Sequence, residues 1–274
     1  MTTIVEPADT GTRPAPGTLA RPVTLPRVIS SEWIKFRTLR STLAVLGTAV
    51  LGMILAGGLV AYNTRNLAGI QPEDAVPSAT LQGYYLAQLL IGALGVLFVT
   101  GEYSTGMIRS TFGAVPTRLP VLAGKLVVFV SVTLVAMVAS CLVAFLGAQA
   151  FTSQYRTGAS LGDPGVLRSV VGTGVYLTLI GMLGAAIGWI IRSTPGAIVT
   201  VIGLVLVVPG LFSSLLGKFG RDIGQYLPSN AGGSFIVSLR DPTSLSPWVG
   251  LAVLVAWVVG LGAIAALRVR RSDA

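Results

Sequence analysis

Reactive side chains are scarce in this chain of 274 residues, and their scarcity already excludes much chemistry. There is no histidine, so the usual proton shuttle and the commonest metal ligand are both missing. The single cysteine, Cys141, lies in an apolar run, so neither a disulfide nor a thiolate metal site can form within one chain. No Ser/His/Asp set, paired carboxylates within an apolar run or metal-ligand cluster can be assembled, which leaves an enzyme poorly supported. A phosphate-binding loop is absent too: Gly124 and Lys125 are followed by Leu126, and no glycine stands five residues before Gly124. If ATP drives this protein, another chain binds it. The conspicuous polar stretch is GEYSTGMIRSTFGAVPTR, 101–118, set between two apolar runs.

The elements that must position this stretch follow from composition. The chain is 53% hydrophobic and 11% charged, with a mean hydropathy of +0.79, so its polar residues could not cover a water-soluble globule of this size. Six uncharged segments, at about 42–62, 81–100, 126–150, 169–191, 197–216 and 247–267, each approach the roughly 20 residues that cross about 30 Å of hydrocarbon as a helix. None carries Asp, Glu, Lys or Arg in its interior, so coupling to a proton or sodium gradient is not expected. Gln82 and Gln88 in the second segment read as hydrogen-bonding groups between helices, and Gly181, Gly184 and Gly188 recur along the fourth as close-packing positions.

Residues 1–24, with Pro7, Pro14, Pro16 and Pro22 among small and charged residues, read as a disordered tail. From 25 to 40, Leu25, Val28, Ile29, Trp33, Phe36 and Leu39 recur at helical spacing while Ser31, Lys35, Arg37 and Thr38 fall elsewhere, the pattern of an amphipathic helix in the membrane interface. Thirteen Lys and Arg lie on the side holding both termini and six on the other, for net charges of +8 and +1. The excess places both termini and 101–118 in the cytosol. The longest outward loop, 217–246, reads either as a short helical pair dipping into the membrane edge or as a Gly-rich surface loop.

Within 101–118, Met107, Ile108, Phe112 and Val115 fall on one helical face with Arg109 and Ser110 turned away, and Pro116 ends the element. Such a helix could be gripped by a partner or could rest on lipid headgroups. The spacing Glu102, Gly106, Pro116, Arg118, Lys125 resembles the signature of type-2 ATP-binding-cassette exporter permeases. SEWIKFRTLRS, 31–41, and YLPSNAG, 226–232, are similar to segments of actinobacterial members. One departure is that Tyr103, Ser104 and Thr105 follow Glu102 where many members carry charges.

The resemblance implies an all-α integral membrane protein with six transmembrane helices, an N-terminal amphipathic interfacial helix and a cytosolic coupling helix between spans two and three. It implies a permease domain over 25–274 that pairs with a second permease and with two cytosolic ATPase subunits, which would bind the ATP and Mg; no cofactor belongs to this chain. By position, Glu102 would lie near the ATPase contact and Met107, Ile108, Arg109 and Phe112 would form the coupling helix. Trp33, Lys35 and Phe36 of the preceding amphipathic helix would share the docking surface. Glu102 reads equally as an acid at a helix N-terminus, and Arg118 and Lys125 as snorkelling anchors. The expected activity is export of a hydrophobic or amphipathic molecule across a bacterial plasma membrane. The rivals are a non-transporting regulatory subunit and a lipid enzyme built from Arg156, Asp163, Arg168 and Asp222.

Overall fold

The computed structural model describes residues 24–64, 81–114, 119–152, 160–215, 217–237 and 244–271, and every regular element among them is helical. In chain order these are α1 (Leu25–Thr38), α2 (Arg40–Thr64), α3 (Tyr84–Ser104), α4 (Met107–Ala114), α5 (Leu119–Thr152) and α6 (Val166–Ile191). Then come α7 (Thr194–Ile202), a π-helical segment (Gly203–Val207), α8 (Val208–Leu215), α9 (Gly217–Gly224), α10 (Pro228–Ile236) and α11 (Pro247–Arg271). Prolines stand in the first positions of α1, α7 and α10, where a missing N–H costs no intrahelical bond. The expected tail, 1–24, lies almost wholly outside the described residues.

Six of these stretches are long and apolar enough to cross a membrane: Arg40–Val60, Tyr84–Ser104, Leu119–Gln149, Val166–Ile191, Thr194–Leu215 and Pro247–Arg271. The chain is therefore read as a multi-pass membrane protein. The helices outrun the apolar segments seen in the sequence. In particular, α3 continues past Thr100 to take in Glu102, and α5 begins before Leu126 and takes in Lys125. Charged residues thus lie within the helices of candidate spans only close to their ends, and the interiors of the described spans stay free of them.

α6 is the centre of the bundle: 72% of its apolar window is buried, against 17% for Thr194–Leu215. It packs on α3, α5, α7, α10 and α11. The reason lies in its small residues. A Cβ on Gly184 would fall on the backbone carbonyl of Gly92, and one on Gly95 would fall on that of Gly181, so α3 and α6 meet backbone to backbone.

The helices alternate in direction, which gives the bundle two ends. One, the basic end, carries α1 and the last turn of α11 with Arg268, Arg270 and Arg271. The other, the distal end, carries α9 and α10. Within 217–237 the described residues form two short helices, α9 and α10, in keeping with the helical-pair reading of the loop 217–246. It enters the bundle: the Trp257 indole N–H donates to the Tyr226 carbonyl at 2.9 Å, about ten residues or 15 Å along α11 from its start. α10 climbs back from that depth, and the Arg168 guanidinium donates to the Phe235 and Val237 carbonyls at its C-terminus. Beside it the fifth span widens into its π-helical segment, because Pro209 has no N–H to offer the carbonyl of Val205.

Candidate functional site

The charged groups of the basic end gather at one place. α1 buries Val28, Glu32 and Phe36, residues spaced by four that form a single stripe on the helix. A carboxylate in the middle of an apolar stripe needs cations, and two reach it. Lys35 Nζ lies 2.7 Å from Glu32 Oε1, and Lys125 Nζ lies 2.6 Å from Glu32 Oε2. The same two ammoniums close on Glu102 Oε1, at 2.8 Å from Lys35 and 3.0 Å from Lys125. Each carboxylate therefore bridges both lysines, and the four charges cancel.

Three helices supply this square: α1 gives Glu32 and Lys35, α3 gives Glu102 and α5 gives Lys125. Lys125 is 2% exposed and Glu32 not at all, so the charges are held out of water. Isolated, either would be prohibitively costly there; paired and hydrogen-bonded, they hold a geometry that excludes other arrangements. Aromatic rings form the floor. Lys125 Nζ stands 4.3 Å from the centre of the Phe98 ring and donates to the Phe98 carbonyl at 3.3 Å. The Phe98 ring meets Phe36 edge-on at 5.2 Å and stacks with Phe129 at 5.9 Å. Above, Gly124 lets α1 approach α5, since a Cβ there would come within 2.8 Å of Val28 Cγ1.

Lys35 is the half-buried member of the square. Burial opposes its charge, but its hydrogen bonds to Glu102 and Glu32 and their negative charges outweigh that, holding the ammonium above the ordinary 10.5. Glu102 Oε2 is buried with no hydrogen-bond partner among the described residues. Glu102 also stands near the C-terminus of α3, not at an N-terminus as one reading held. The helix dipole there disfavours an acid, so the two lysines and not the dipole account for its charge.

α4 leaves this assembly through Thr105 and Gly106, the latter at φ +71°, a left-handed conformation that a side chain would strain. Met107 is 47% exposed and Trp33, on α1, is 46% exposed. Ile108 and Phe36 are buried within this chain, Ile108 among Val28, Val99, Val121 and Trp189. They anchor α4 and α1 on the bundle, while Met107 and Trp33 are the exposed members of the expected coupling set. Arg109 and Phe112 belong to α4, but their side chains, like Val115, Pro116 and Arg118, lie outside the described residues.

Nothing in the sequence pairs Glu32 with Lys125. The signal available was Glu32 at the fourth position between Val28 and Phe36. The residues of the lipid-enzyme reading do not come together among those described. Asp163 accepts the Ser160 N–H at 2.6 Å, Arg168 holds the end of α10, and Asp222 is exposed on α9; Arg156 lies outside.

No protein-family model matches the chain, and no curated protein matches it.

Proposed function

We propose that this chain is the transmembrane permease half of an ATP-driven exporter in a bacterial plasma membrane, with the basic end in the cytosol. The observation that carries the reading is the four-charge square, which joins α1, α3 and α5 into one body directly beneath α4. A force applied to α1 from outside the membrane reaches α3 and α5 through these ion pairs. The excess of Lys and Arg on that side supports a cytosolic placement.

On this reading α1 lies in the membrane interface and α4 is the coupling helix. Two cytosolic ATPase subunits grip Met107 and Trp33, and a second permease subunit completes the complex. ATP binds the closed ATPase pair more tightly than the open one, and that difference supplies the work of switching the permeases from inward- to outward-facing. The apolar helix faces suit a hydrophobic or amphipathic substrate such as a drug, peptide or lipid. ATP and Mg stay with the partners.

The test is co-expression with a P-loop ATPase, should the neighbouring reading frame encode one. Met107→Asp combined with Trp33→Asp should leave the protein inserted and folded while the ATPase no longer co-purifies. Full retention of the ATPase by that variant would remove the docking role. Uphill movement of solute by the purified chain alone in liposomes would remove the whole reading.

A further inference from the structure

α5 and α11 both lie on α6 but barely touch each other, and the gap between them is a slot of about 200 Å³ near the basic end. Its walls are Leu122 and Leu126 of α5 and Val258, Gly262 and Ala265 of α11; its floor is Met182, Ala186 and Trp189 of α6. The lining is almost wholly apolar. Gly262 leaves room in it, since a Cβ there would meet nothing within 4 Å.

The end of the slot is different in character. The Trp189 ring meets Tyr103 edge-on at 5.8 Å, and the Arg192 guanidinium sits 5.4 Å from the centre of the Tyr103 ring. Arg268 stands one turn beyond Ala265 on α11, as Arg192 stands one turn beyond Trp189 at the end of α6. Two arginines thus lie one turn past lining residues of the slot, at its basic end. From Arg268 back to Val258 is about ten residues, or 15 Å, which is half of a hydrocarbon core about 30 Å thick.

We propose that this slot is a specific site for an anionic glycerophospholipid, with an acyl chain against Trp189 and Gly262 and the phosphate on Arg192 and Arg268. An apolar slot alone would take any acyl chain. The arginines select by net charge, because phosphatidylcholine has the same phosphate but offsets it with its choline cation, and each protein cation near a net anionic headgroup favours it about fivefold. The site does not depend on the chain being a permease; it requires only that the helices span a bilayer.

Trp189 supplies the readout, since bromine on an acyl chain quenches an indole that it touches. The full-length protein is reconstituted into vesicles of brominated phosphatidylglycerol or brominated phosphatidylcholine mixed with unbrominated lipid. The Trp189 contribution is taken as the difference from Trp189→Phe. Phosphatidylglycerol should associate at least about fivefold more strongly than phosphatidylcholine. Arg192→Gln combined with Arg268→Gln should abolish that preference while quenching by both lipids persists. Gly262→Leu, which has room for its side chain, should fill the slot and lower quenching by both lipids without unfolding the protein. Equal quenching by the two lipids in the parent would mean ordinary boundary lipid and overturn the site. A preference that survives loss of both arginines, or quenching indifferent to Gly262→Leu, would overturn it as well.

Discussion

Lys125 and Glu32, ninety-three residues apart in sequence, meet at 2.6 Å with neither exposed beyond 2%. That contact ties the helix before the first span to the start of the third. Its environment sets what its loss would do.

Lys125→Met removes one cation from a buried square and leaves two carboxylates sharing Lys35. It is expected to destabilise the protein by about 3–5 kcal/mol. Lys125→Met with Glu32→Gln should cost less than the two single changes added together, because the pair is then removed as a unit. Thermal unfolding in detergent of the four proteins of the cycle measures the coupling.

Gly184→Val would drive a side chain into the backbone of Gly92 and push α3 from α6. Overpacking of this kind costs about 1–3 kcal/mol, and relief is difficult here because the neighbour is backbone. Gly203→Val, at a position with open space around it, should cost less. The ordering of the two unfolding temperatures is the check.

Arg168→Gln removes the guanidinium at the end of α10, leaving the Phe235 and Val237 carbonyls without that donor. Amide hydrogen exchange across α9 and α10 should speed up while α1 and α5 stay protected. Uniform acceleration along the chain would show that Arg168 supports the bundle as a whole and not the α9–α10 pair.

The Lys35 contribution has a defined pH window. Its folded-state pKa is raised, so its stabilisation is fully present below the ordinary 10.5 and is lost as pH rises through the raised value. The difference in unfolding temperature between the parent and Lys35→Met should therefore be constant from about pH 6 to pH 9 and shrink only in strong alkali. A difference that collapses near neutrality would contradict the charge square.

Much of this architecture was legible without coordinates. Long uncharged runs in a chain this apolar have few solutions other than membrane-crossing helices, since a helix satisfies its own backbone. The periodicity at 25–40 and within 101–118 marked helices that the structure contains. Gly181 and Gly184 pointed to a close helix contact because small residues at that spacing have little other use in such a segment.

What the sequence could not decide was which side chains face one another. The wheel of α1 shows an apolar stripe but not that Glu32 belongs inside it, because the cations that make this tolerable come from Lys35 and, far along the chain, Lys125. The inward turn of Ile108 and Phe36 likewise depends on the helices that happen to lie beneath them. Periodicity is a property of one helix and survives in the sequence; the pairing of buried charges and the gap between α5 and α11 are properties of several helices at once, so only the tertiary arrangement settled them.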